Sequence, residues 1–112
     1  MRTSSSLLLD RLVRSLLRLH PNRNRRGIAV ELGLTKWNLS RWTTGEELPP
    51  RRRVARIAQR LCEMRCSREQ VVEWVRAVHD ELNELAAREN GYGFFLSRLD
   101  RSPRTSARRV PR

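Results

Sequence analysis

Apolar side chains recur along this chain at steps of three and four, the spacing of helices that turn one face inward. Leu9, Leu12, Val13, Leu16 and Leu17 mark a first helix over 7–19, with Arg11, Arg14 and Arg18 elsewhere on its surface. Ser4, Ser5 or Ser6 would cap it, and His20-Pro21-Asn22 ends it because a residue before proline avoids helical angles. Residues 27–32 (GIAVEL) read as a short second helix, stopped by Gly33 in the left-handed conformation that glycine tolerates. Thr35 is placed to cap a third helix, Lys36 to Thr43. After the loop Thr44 to Pro50, the repeat Val54, Ile57, Ala58, Leu61 marks a fourth helix from Arg51 to Leu61.

Ser67-Arg68-Glu69-Gln70 has capping-box spacing and opens a fifth helix. Val71, Val75, Val78, Leu82 and Leu85 then recur at heptad spacing until Gly91-Tyr92-Gly93, where the helix is expected to break. Phe94, Phe95, Leu96 and Leu99 form a small apolar patch, and residues 101–112 are expected to be disordered. The predicted fold is all-α, a five-helix bundle over 1–90 whose last helix covers 67–89. An apolar extension at 91–100 and a basic tail at 101–112 follow.

Charge sharpens this picture. The chain has 112 residues and a formal net charge of +12, which makes a polyanion the default partner. Residues 1–66 carry +10, residues 67–100 carry −3 and residues 101–112 carry +5. The anion-seeking surface is therefore the first four helices and the tail, while the acidic fifth helix is better suited to a protein. Of the 24 basic residues only Lys36 is lysine, a bias that suits phosphate and base edges but that GC-rich codons also produce.

Other chemistry is sparse. Cys62 and Cys66 stand four apart, off the usual zinc spacing, and read as thiols in a reducing cytoplasm. No catalytic constellation, phosphate-cradling glycine loop, metal site, cofactor motif or small-molecule pocket is legible, so neither catalysis nor a cofactor is expected. No apolar run approaches the ~20 residues of a membrane-spanning helix. The Arg- and Ser-rich first twenty residues resemble a transit peptide in composition, but they are needed as the first helix. The expected location is the bacterial cytoplasm, on DNA.

The informative stretch is residues 25–45, RRGIAVELGLTKWNLSRWTTG, two short helices meeting at a tight turn. Ala29 must be small where the helices approach, and Gly33 takes the positive backbone angle. Ile28, Leu32, Leu34, Leu39 and Trp42 supply an apolar wedge. The segment Ile-Ala-x-Glu-Leu-Gly-Leu-Thr followed by Leu-Ser-Arg-Trp-x-x-Gly resembles the helix-turn-helix of the Cro/CI (XRE-type) family of bacterial and phage repressors. The resemblance covers about residues 7–62. It implies a repressor-like bundle and a transcription regulator whose third helix, over 35–44, reads operator DNA. The sequence departs from the family at Arg25, where glutamine is usual, and at Trp37, where a small polar residue is more common.

Helical geometry selects the outward face of the third helix independently. At about 100° per residue, Trp37, Ser40, Arg41 and Thr44 point away from the direction of Leu39 and Trp42, with Lys36 and Asn38 flanking them. These six are the expected base contacts: Arg41 toward guanine, Asn38 toward adenine or a flanking phosphate, Trp37 toward thymine methyls, and Ser40 and Thr44 toward base edges or phosphates. Packing of Trp37 against the loop or an arm is the alternative for that residue. Arg23, Arg25, Arg26, Thr35, Arg51, Arg52 and Arg53 are the expected phosphate contacts. The fifth helix is expected to pack on the fourth and to pair with a second copy through Val71, Trp74, Val75, Val78, Leu82, Leu85, Phe94 and Phe95, as a homodimer on a pseudo-palindromic operator. An antitoxin-like or polymerase-associated protein-binding module, with residues 71–99 as its main interface, is the alternative. RNA is disfavoured because no sheet platform is available for stacking bases.

Overall fold

A computed structural model describes residues 2–100, with side chains through Glu89. Five helices follow in order: α1 (Ser4–Leu19), α2 (Arg25–Glu31), α3 (Lys36–Thr44), α4 (Arg51–Glu63) and α5 (Arg68–Asp100). The described residues are all-α, as the periodicity predicts, and those up to Leu82 form one compact unit.

The helix ends show how short-range chemistry fixed the boundaries. α1 starts earlier than expected because Thr3 makes the cap. Its hydroxyl accepts from the Ser6 amide at 3.2 Å, and the Ser6 hydroxyl accepts from the Thr3 amide at 2.8 Å. α2 begins two residues before the predicted glycine because the Asn24 side chain accepts from the Gly27 amide at 2.9 Å. Thr35 caps α3 as predicted, accepting from the Asn38 amide at 3.0 Å. The turn between α2 and α3 closes with the Leu34 amide on the Ala29 carbonyl at 2.8 Å, and Gly33 sits at φ 75°. α4 ends in the same way at Arg65, which holds φ 75° without being glycine. α5 starts one residue past Ser67, whose hydroxyl accepts from the Gln70 amide at 3.4 Å.

One core joins all five helices. Leu9, Leu12, Val13 and Leu16 of α1 meet Ile28 and Ala29 of α2, Leu39 and Trp42 of α3, Val54, Ile57 and Leu61 of α4, and Val71, Trp74 and Val78 of α5. Trp74 is fully buried. α1 packs against α2 and α3, and those two against each other, so the first helix fixes the angle of the helix-turn-helix. The N-terminus of α1 is tied to α5 by Glu81, which accepts from the Ser5 amide at 3.0 Å and from the Ser5 hydroxyl. Buried Ser5 is satisfied by that carboxylate.

Two expectations about α5 are corrected. The helix runs through Gly91-Tyr92-Gly93 to Asp100, where a break was expected. The seam assigned to a second copy is also largely internal: Val71, Trp74 and Val78 are buried in the chain's own core, with Val75 and Leu82 half-buried against it. Heptad spacing marks an apolar face but does not say what covers it, and here the seam joins the core cluster of the chain itself. Leu85 keeps 40% of its surface exposed. The side chains of Phe94 and Phe95, and the whole 101–112 tail, lie outside the described residues.

Candidate nucleic-acid interface

α3 divides as the helical wheel requires. Leu39, Trp42 and Thr43 are buried, while Lys36, Trp37, Ser40, Arg41 and Thr44 are exposed and Asn38 is half-buried. Trp37 is 69% exposed, so the alternative of a tryptophan packed against a loop is not what is seen. The Lys36 ammonium stands 5.9 Å from the centre of its ring. Arg41 reaches Glu47 in the following loop at 3.4 Å, an exposed pair that costs little to open. The Thr44 hydroxyl donates to the Arg41 carbonyl at 3.3 Å.

The arginines expected on phosphates fall into two groups. Arg26 and Arg52 are exposed at the ends of α2 and α4, and Thr35 is exposed at its cap. The others are held by the protein. Arg23 pairs with Glu31 at 2.9 Å, and Arg23 holds the Glu31 carboxyl below its ordinary range. Arg25 donates to the Thr43 hydroxyl at 3.1 Å and lies 3.7 Å from Asp10. Arg51 donates to Nδ1 of His79 at 2.8 Å. Arg53 donates to the Gly33 carbonyl at 3.0 Å, and its guanidinium stands 5.6 Å from the centre of the Trp42 ring. Arg60 donates to the Glu31 carbonyl at 2.9 Å. Two cations of α4 thus satisfy carbonyls that the end of α2 leaves open, and the turn is clamped from below.

Sequence reasoning missed four participants. Asp10 gathers Arg2 at 3.1 Å, Arg14 at 3.0 Å and Arg25 at its edge. Burial pushes the Asp10 carboxyl up, but the hydrogen bonds and charges of Arg2 and Arg14 outweigh it and hold the group below its ordinary value. Arg2 also donates to the Thr43 carbonyl at 2.9 Å, so the segment before α1 reaches the end of α3. Arg56 joins Arg52 and Arg53 around a cleft of about 320 Å³ floored by Leu32, Gly33 and Ile57. Its signal was legible, since Arg52 and Arg56 are one turn apart. Val30 is 66% exposed beside the turn. An apolar residue out of register with its helix was the signal there.

The Cys66 thiol is pushed up to about 11, chiefly by burial and secondarily by neighbouring Cys62, so it stays protonated and inert near neutrality. Among the described residues no three His, Cys, Asp or Glu side chains group as a metal site would require, and no helix is long and apolar enough to cross a membrane. The chain matches no family model, no curated protein and no solved structure.

Proposed function

We propose that the chain is a sequence-specific DNA-binding transcription regulator of the Cro/CI (XRE) type. In this reading it is a bacterial or phage repressor that blocks polymerase by occupying an operator. The observation that carries the reading is the division of α3: Leu39 and Trp42 lock it to the core while Trp37, Ser40, Arg41 and Thr44 face outward together. α3 enters the major groove from its Lys36 end. Arg41 grips guanine through two donors, and Lys36, Asn38, Ser40 and Thr44 contact neighbouring edges. Arg26, Arg52 and Thr35 contact phosphates directly. Arg23, Arg25 and Arg51 exchange their present partners for phosphate, while Arg53 holds the turn. Two copies pair through what remains exposed on α5, which places two α3 helices about 34 Å apart on a pseudo-palindromic site. No cofactor takes part, and the location is the bacterial cytoplasm.

A second reading, a protein-binding module of antitoxin-like or polymerase-associated kind, is favoured by one feature. Ala55, Ala58 and Cys62 of α4 and Val71, Val72 and Val75 of α5 line an open apolar groove flanked by Arg68 and Arg76.

Selection from a random duplex pool at ~150 mM salt separates the two readings. The DNA reading expects an enriched inverted repeat that the double variant Trp37→Ala, Arg41→Ala no longer selects. Binding to that repeat should fall with salt at a log–log slope of roughly −5 to −9 for a dimer. No enrichment would remove the DNA reading and leave the α4–α5 groove as the interface to pursue.

A further inference from the structure

Val30 and Trp37 are the two most exposed large hydrophobic side chains among the described residues, at 66% and 69%. They are not scattered. Both line one cleft of about 430 Å³ between α2 and the start of α3, with buried Leu34 beside them. Arg26, Thr35 and Lys36 complete its lining, and no carboxylate lines it. Among the described residues neither Arg26 nor Lys36 forms an ion pair. An apolar cleft left open to water, rimmed by two cations without carboxylate partners, calls for an apolar group carried on an anionic scaffold.

The major groove offers such a group. The C5 methyl of a pyrimidine projects from the base edge, and the phosphates run along the same groove wall. Trp37 lies on the outward face of α3 that the proposed function lays in this groove, one turn from Arg41. Val30 lies across the turn, on α2. We infer that the Val30–Trp37 cleft reads the C5 methyl group of a pyrimidine, either thymine or 5-methylcytosine, at one position of the DNA site. Val30 and Leu34 contact the methyl, Trp37 covers the base edge, Lys36 contacts the neighbouring edge and Arg26 holds the adjoining phosphate. This inference rests on the DNA reading, and it adds a hydrophobic selectivity that hydrogen-bond donors do not supply.

The test deletes or adds the methyl without touching any hydrogen-bonding group. In the enriched duplex each thymine is replaced in turn by uracil, and each cytosine in turn by 5-methylcytosine. Affinities are then measured for the full chain and for Val30→Ser, Trp37→Ala and Arg41→Ala. The expected result is a single position, repeated in each half of the site, at which uracil weakens binding about fourfold or 5-methylcytosine strengthens it about fourfold. That is what burying one methyl group contributes. The arm that responds identifies the base. Val30→Ser and Trp37→Ala should lose this response, while Arg41→Ala keeps it at lower affinity. Because Val30 and Trp37 are exposed, both variants should melt within a few degrees of the parent. Indifference to both replacements at every position would overturn the inference while leaving the DNA reading intact. So would an undiminished response in Val30→Ser. Failure of the pool to yield any enriched duplex would overturn both.

Discussion

At the residue scale, the arginines of this chain do different work although the sequence presents them alike. Arg51, Arg52 and Arg53 form one run, yet among the described residues only Arg52 of the three has neither a hydrogen bond nor a ring contact. Arg53 clamps the Gly33 carbonyl and covers Trp42, so Arg53→Ala should lower the unfolding free energy by about 1 kcal/mol in urea titrations. Arg52→Ala should leave stability unchanged and weaken binding to all duplexes about equally. Equal stability of the two variants would remove the clamp. Asp10 sets a pH dependence. Its folded-state carboxyl titrates below the ordinary 3.8, so its stabilisation is complete above that value and is lost as pH falls through the lower folded value. Urea midpoints of the parent should therefore drop more between about pH 6 and pH 3 than those of Asp10→Asn. Parallel profiles would show that the three arginines around Asp10 add nothing to stability.

At the element scale, the legibility of the chain follows the range of the interactions involved. All five helices were readable, because each buries a face at helical spacing and most are bounded by Pro, Gly, Asn or Thr. The Thr35 cap and the Gly33 turn were readable for the same local reason. The start of α1 was not, since Thr3, Ser4, Ser5 and Ser6 are all competent caps and only the Ser6 hydroxyl returning to Thr3 decides between them. Buried Ser5 was also illegible, as its partner Glu81 lies 76 residues away. The role of α5 was half legible. Its apolar period and its packing within the chain were expected, but the sequence could not say that Val71, Trp74 and Val78 would be buried there, leaving almost none of their surface for a second copy. The outward face of α3 was legible in full, whereas the Arg2–Asp10–Arg25 grouping depends on how α1 meets α2. This division changes the oligomer test. Val78→Glu should unfold the chain, as charging a buried site does. Val72→Glu and Leu85→Glu, made separately at exposed positions, should keep the fold and shift the light-scattering mass toward the monomer. An unchanged mass in both would remove α5 from the pairing surface.

At the scale of the whole molecule, charge and architecture point the same way. The +10 of residues 1–66 coincides with the helix-turn-helix, and the −3 of residues 67–100 coincides with α5. In the proposed reading the basic half faces the polyanion and the acidic helix lies away from it. Charge alone produces binding without discrimination, as any basic surface would. The role proposed for α3 goes beyond charge, because α3 reads sequence. The ratio of affinities at ~150 mM salt for the enriched duplex and for a scrambled duplex of the same length and composition distinguishes the two. A ratio of about 1,000 or more is expected, falling steeply in Trp37→Ala, Arg41→Ala while the scrambled duplex still binds. A ratio near one, the same for parent and variant, would contradict that role.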